Sequence, residues 1–509
     1  MNLSSFTFLA FLVVFILIYF IIPKKIQWIF LLLSSLLFMF YQNIHFIAIA
    51  CVLSTLIIAY ISAIFVEKYK DSKKGLWSCI IGVLLVLTPL ILFKYINFIG
   101  INIEYISHLF GGDYIWYTIT TDVPIGISYY TLIMIGYIID VYRKTCKAQT
   151  NILKCALFMC YFPQLTSGPV TRYSEEHSLF KPHKFNYYTF TNGLIRILWG
   201  FFKILVISSR ASIFVNGVYN DIVHYNGFYI VIAALLFTIQ LYTNFSGSID
   251  IIMGVSEIIG IELPENFQQP FFSKSITEFW RRWHISLGDW LRDFIFYPLL
   301  KSNIIQGMTK KLKSKLGKKW GKRIPIYIAM FILWTVIGIW HGGSYNYLIA
   351  TGWIQFVYLV IEDISEPWMK KITAKLVINR DKFVYKIIRC MKTYIMFSFA
   401  LIFFRAENIS SAIAIIKNIF ITWNPYVLYD RTSLFIVSLD KMDFVVMILS
   451  IFVLFVVEWL QRTRNVRESL SRRNIIIRWT LLYTLIFVIL IFGSYGPGYS
   501  TTEFIYQQF

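Results

Sequence analysis

Two histidines stand apart from the rest of this chain. His284 closes the run Ser275-Ile276-Thr277-Glu278-Phe279-Trp280-Arg281-Arg282-Trp283-His284, and His341 sits in Gly338-Ile339-Trp340-His341-Gly342. Imidazole titrates near neutral pH, and low-dielectric surroundings keep it uncharged, so a histidine in an apolar stretch is suited to general-base work. His341 follows an apolar run and lies among small residues that leave room around it. His284 lies at the edge of an apolar face, where an imidazole needs a polar partner. The remaining histidines (45, 108, 177, 183, 224) fall in loops or near segment ends and carry no such expectation.

The element that must position His284 reads as a helix starting at Ser275, because Ser275 and Glu278 form a capping-box pair. At about 100° per residue, Ile276, Phe279, Trp280, Trp283, Leu287, Trp290, Leu291 and Phe294 fall in one stripe. Glu278, Arg281, Arg282, Asp289, Arg292 and Asp293 fall opposite, with Ile285 the exception. A helix so charged on one face cannot span a bilayer; it should lie at the interface or line a wet cavity.

Composition sets the class. Of 509 residues, 57% are hydrophobic, 18% aromatic and only 15% charged, and apolar runs of spanning length recur from end to end without a soluble-sized linker. This predicts one all-α, polytopic membrane domain over residues 1–509, with roughly ten to twelve helices. The first stretch, Leu3 to Ile22, is too long for a signal-peptide core and has no small-residue cleavage site before Pro23, so it counts as a span. The six cysteines show no paired spacing, which points to neither a disulfide framework nor a zinc site.

A net charge of +21 could suit nucleic acid, but its placement argues otherwise. Basic loops such as the one holding Lys68, Lys70, Lys73 and Lys74 alternate with neutral or acidic ones, as the positive-inside rule expects. Lys301 to Arg323 holds nine basic residues and no acid, Lys370 to Lys392 holds eight basic residues, and six arginines fall between Arg462 and Arg478. These loops should be cytoplasmic, in contact with membrane lipids, with both termini outside. Ala156 to Val170, short and broken by Pro163, Gly168 and Pro169, reads as re-entrant, which requires cover by protein or a wet cavity. Spans are expected near Thr189 to Ser208, Phe228 to Asn244, Pro325 to Trp340, Tyr347 to Ile361, Val445 to Trp459 and Trp479 to Phe492. No internal repeat of the transporter kind is visible. Two polar stretches, Gln240 to Asp250 at a segment end and Pro124 to Tyr130, should face the interior or a cavity, as helix-to-helix hydrogen bonds or as a site.

An ordered set of motifs carries a family resemblance: Pro124 to Arg143, Phe162-Pro163-Gln164-Leu165 with Gly168-Pro169, Gln240 to Asp250, Leu263-Pro264-Glu265-Asn266-Phe267, Phe279 to Pro298, Trp340-His341-Gly342 and Phe403-Phe404-Arg405-Ala406. Together they resemble the membrane-bound O-acyltransferase family, in the branch of the membrane subunit of alginate O-acetylation, with the D-alanyl transfer membrane protein of teichoic acid synthesis a shorter relative. The resemblance implies a ring of tilted helices around a thin centre, with a funnel from outside and a tunnel from the cytoplasm. His341 then matches the catalytic histidine and His284 the second characteristic one. Where alginate-type members usually carry a third histidine, this chain has Gln355.

Acyl transfer from a thioester to a hydroxyl needs a base near the incoming oxygen and donors for the developing oxyanion. His341 is the expected base. For His284 three roles stay open: orienting the acyl carbonyl, holding His341, or packing. Arg281, Arg282, Trp340 and Asn244 are expected to hold the donor, acetyl-CoA, whose phosphates the Lys310 to Arg323 cluster would attract; anionic lipid contact would use the same charges. The ending Phe504-Ile505-Tyr506-Gln507-Gln508-Phe509 resembles alginate-type termini. It implies that Tyr506 relays the acetyl group to an extracytoplasmic serine hydrolase-fold acetyltransferase, against plain interfacial anchoring. The whole reads as O-acetylation of an envelope or exported polysaccharide at a bacterial cytoplasmic membrane. A transporter or flippase of an acyl donor or glycolipid, and a lipid- or protein-directed acyltransferase, are the rivals.

Overall fold

The computed structural model of the chain describes residues 3, 5–42, 45–120, 123–175, 177–430 and 432–495. Secondary structure there is helical throughout, with one isolated β-bridge between Phe267 and Trp283. Among the described residues, ten helices are long and apolar enough to cross a membrane, including Phe46–Lys68, Tyr187–Asn220, Phe228–Ile259, Asn303–His341, Tyr345–Lys375 and Phe383–Arg405. A helix satisfies all its backbone groups within itself, which is why apolar spans take this form. Many present lipid-compatible surfaces: of Ile475–Phe492 only Ile489 is buried. The chain is a multi-pass, all-α membrane protein.

Residues group into two compact units, one built from the described residues up to Gly200 with Ser248–Pro264, the other from Phe201–Gly247 with the described residues from Glu265 onward. In the first, Gly82 brings its helix so close to Ser62 that a Cβ would lie 2.6 Å from the serine side chain. Such small-residue contacts let membrane helices pack without a hydrophobic drive between them. The broken stretch after Ile152–Cys160 is buried from Cys155 to Thr171, the cover that a short, irregular apolar segment needs. Arg196 donates to Asp250 at 3.0 Å, both largely shielded.

Three expectations need correcting. Phe6–Ile21 has 16 residues, which rises only about 24 Å against the ~30 Å hydrocarbon core, so it falls short of the spanning length expected for Leu3 to Ile22. Gln240 to Asp250 lies inside the Phe228–Ile259 helix rather than at its end, because its polar groups find internal partners. Thr243 bonds back to the Ile239 carbonyl at 2.7 Å, and Lys203 donates to Ser246 at 3.2 Å. Finally, the single helix expected from Ser275 is broken in two, Ile276–Trp280 and Ile285–Leu291, and the break falls on His284.

Candidate active site

The first short helix starts as its capping box predicts: the Ser275 side chain accepts from the Glu278 amide at 3.0 Å. It stops because the segment after Pro264 takes over the backbone bonds. Gln268 N–H donates to the Arg282 carbonyl at 3.0 Å, and Ile285 N–H donates to the Asn266 carbonyl at 3.0 Å. His284 at the junction takes φ 48° and ψ 52°, the left-handed region that disfavours a non-glycine residue by about 1–2 kcal/mol. Strain of this kind persists only where surrounding structure enforces it, and it clusters at functional positions. Here Trp283 is packed in place, 5.4 Å from Phe279 and 5.3 Å from Phe397 by ring centroid.

His284 is 3% exposed and His341 5% exposed. His284 Nδ1 lies 3.3 Å from Asn266 Oδ1, while Nε2 meets no hydrogen-bond partner among the described residues. Burial pushes its imidazole down to about 3, so it stays neutral at physiological pH. The indole of Trp340 stands beside both, with ring centroids 6.0 Å from His284 and 5.0 Å from His341. Gly342 follows His341 directly, and a Cβ there would meet the Tyr347 ring at 2.2 Å.

Both histidines line one cavity of about 600 Å³. Its long wall is a single face of the Asn303–His341 helix, with Arg323, Ile326, Met330, Leu333, Ile337 and His341 at helical spacing. From Arg323 to His341 that wall rises about 27 Å at about 1.5 Å per residue. The helix breaks at Gly317, φ 76°, so the basic stretch is divided: Lys310, Lys311, Lys313 and Lys315 belong to a separate helix, while Lys318, Lys319, Lys322 and Arg323 open the helix that forms the wall. The wall is held against the next element backbone to backbone: a Cβ on Gly338 would lie 2.7 Å from Leu348 Cα, and one on Gly352 2.8 Å from the Trp334 carbonyl.

Of the residues expected to hold the donor, Arg281 is exposed and lines the cavity, with no ion-pair partner among the described residues. Arg282 instead pairs with Glu278 at 2.6 Å and is not among the lining residues. Trp340 and Asn244 are buried and also lie outside the lining; Asn244 precedes Phe245, whose ring packs 4.9 Å from His284. Gln355 accepts from Trp280 Nε1 at 3.2 Å and donates to the Ala350 carbonyl at 3.1 Å, so it braces a cavity-lining indole. Tyr506 lies outside the described residues. Sequence reasoning missed the role of Asn266, which it met only as one letter of a motif, and the Arg323–Asp363 pair at 3.3 Å, which Tyr327 joins by donating to the same carboxylate.

A many-span helical chain that buries two histidines in one long cavity defines a membrane enzyme rather than a soluble one. The chain belongs to the membrane-bound O-acyltransferase family, whose model matches residues 147–404, and it is an O-acyltransferase. It is 31% identical to a probable alginate O-acetylase of Pseudomonas syringae pv. tomato over 418 residues, covering 81% of this chain and 74% of the relative. It is 26% identical to a peptidoglycan O-acetyltransferase of Helicobacter pylori, over 76% of this chain and 72% of that one. A teichoic acid D-alanyltransferase of Bacillus subtilis is 30% identical over 262 residues, 48% of this chain and 60% of that one.

Proposed function

We propose that this protein is a bacterial cytoplasmic-membrane enzyme that takes an acetyl group from acetyl-CoA on the cytoplasmic side for O-acetylation of an envelope or exported polysaccharide. An extracytoplasmic serine hydrolase-fold acetyltransferase completes the transfer. The observation that carries this is the cavity wall that runs from Arg323 to His341 on one helix face. A donor with phosphates at one end and a thioester on a long arm matches a lining that carries Arg281, and a wall with Arg323, beside Asp363, at one end and a base at the other. The relatives named for alginate and peptidoglycan O-acetylation favour a polysaccharide acceptor.

In the reaction, His341 takes the proton of the incoming hydroxyl as its oxygen bonds to the acetyl carbon. The C–S bond breaks, and the proton ends on the departing thiolate, giving an ester and free CoA thiol. A base so placed contributes about 10²–10⁴-fold. Tyr506 is the proposed first acceptor. Its phenol, with an ordinary pKa near ~10, needs such a base because little phenolate exists at neutral pH.

The test is purified full-length protein in lipid nanodiscs with radiolabelled acetyl-CoA. Label should leave the donor and appear as an oxygen ester, and His341→Ala should cut that rate at least about a hundredfold with the protein still folded. A variant rate within about tenfold, ~1.4 kcal/mol of barrier, would remove His341 as the base. Movement of label across the bilayer without cleavage would favour a transporter.

A further inference from the structure

Asn266 reaches three groups with one atom. Its Oδ1 accepts from the Ser286 backbone N–H at 3.1 Å and from Ser286 Oγ at 2.9 Å, and it faces His284 Nδ1 at 3.3 Å. A backbone N–H can only donate, so the atom opposite it must be the carboxamide oxygen; with the amide reversed, two donors would face each other. Asn266 is wholly buried, and its own backbone carbonyl accepts from Ile285, so the side chain has no freedom to turn away.

An oxygen that can only accept sets the protonation of its partner. The nitrogen of His284 that faces it must carry the hydrogen, and in a neutral ring the lone pair then sits on Nε2. We propose that Asn266 is a positioning residue for the transferase reaction: it holds His284 as the Nδ1–H tautomer, so that this cavity-lining histidine acts through Nε2 as an acceptor. A neutral ring in that form cannot donate a hydrogen bond to an acyl carbonyl, which removes one of the roles left open for His284. What remains is acceptance, at the buried Nε2, from a proton-bearing group brought against it. The left-handed backbone at His284 serves the same end, because the two residues that follow it are bonded to Asn266, Ile285 through the Asn266 backbone carbonyl and Ser286 through the Asn266 side chain.

This inference rests on the O-acyltransferase reading of the site, and the test separates the two. Turnover of acetyl-CoA by full-length protein in nanodiscs is compared for the parent, Asn266→Ala, His284→Ala and the double variant. Asn266→Ala should lower kcat about tenfold to a hundredfold, the range found when an orienting partner is removed, with little change in donor KM. In the His284→Ala background the same change should cost less than twofold, since the group it orients is gone. A loss that multiplies in both backgrounds makes Asn266 a packing residue and overturns the proposal.

The second arm needs no residual activity in His284→Ala. Asn266→Asp keeps the acceptor and adds negative charge, which stabilises the His284 imidazolium, so more of the His284 ring is protonated, and lost as an acceptor, at low pH. The acid limb of the rate profile should therefore lie at higher pH than in the parent, and Asn266→Asp should remain faster than Asn266→Ala. A profile superimposable on the parent's would refute the coupling. Full turnover by His284→Ala would sink both this proposal and the role of His284 in the site, whereas an impaired His284→Ala beside a fully active Asn266→Ala would sink this one alone.

Discussion

The Trp340 indole packs edge-on toward the His284 imidazole, ring centroids 6.0 Å apart and planes at 62°, although His284 stands in the break between two short helices and Trp340 near the end of the Asn303–His341 helix. It also neighbours His341, 5.0 Å away. One ring thus packs beside both cavity-lining imidazoles, and if they act together their geometry would be lost with small displacements. Trp340→Phe should keep most activity. Trp340→Ala, which leaves a cavity beside both imidazoles, should lower kcat about a hundredfold and destabilise the fold by roughly 3–5 kcal/mol. Equal turnover in the two variants would show that the ring does not set the spacing.

Arg281 enters the cavity lining without a carboxylate partner among the described residues, while Arg282 is committed to Glu278. Arg281→Gln should raise the KM for acetyl-CoA several-fold and weaken its salt dependence, because a screened charge contributes mostly at low ionic strength. Arg282→Gln should leave KM nearly unchanged. Titrations of rate against donor at two salt concentrations decide this; the reverse ranking would move the phosphate contact to Arg282.

Gly338 and Gly352 let two backbones touch where no Cβ fits. Gly338→Ala should force the His341-bearing helix off the Leu348–Trp353 turn, and loss of activity should accompany a lower melting temperature in detergent. Unchanged melting would mean that the contact yields without cost.

Charge placement predicts the orientation. A reporter fused within Lys310 to Lys319 should read cytoplasmic, and one at the C-terminus should read outside. The opposite pair would invert the whole arrangement and place the cavity's basic end outside.

Tyr506→Phe keeps the ring and removes only the hydroxyl. A relay predicts loss of polymer acetylation with donor binding intact, and an acetyl adduct on the C-terminal peptide when the partner enzyme is absent. Anchoring by aromatics predicts near-normal acetylation. Polymer ester content together with mass spectrometry of the peptide separates the two.

The helical, many-span architecture was plain in the sequence because lipid leaves apolar segments little choice of form. Both histidines stood out in the sequence for a related reason: His341 follows an apolar run, and His284 lies at the edge of an apolar helical stripe. What periodicity could not show was the break at His284. The stripe from Ile276 to Phe294 is as regular as a continuous helix would need, yet Asn266 and Gln268 compete for backbone bonds and win. A contact between Asn266 and Ser286 is a tertiary choice, invisible to any window drawn along the chain. The same holds for Gln240 to Asp250, whose place inside a helix depends on Lys203 and on other partners that the segment itself does not contain.

The left-handed backbone at His284 also bears on how the chain tolerates change. Glycine adopts that conformation freely, so a chain selected only for assembling in the membrane would gain by replacing the histidine. His284→Gly should be more thermostable than His284→Ala by about 1 kcal/mol, and both should be catalytically impaired. Position 284 should then be a place where folding and turnover pull toward different residues. A mutational library sorted first for stable expression and then for acetylation would expose that opposition as enrichment of glycine in the first sort and its disappearance in the second.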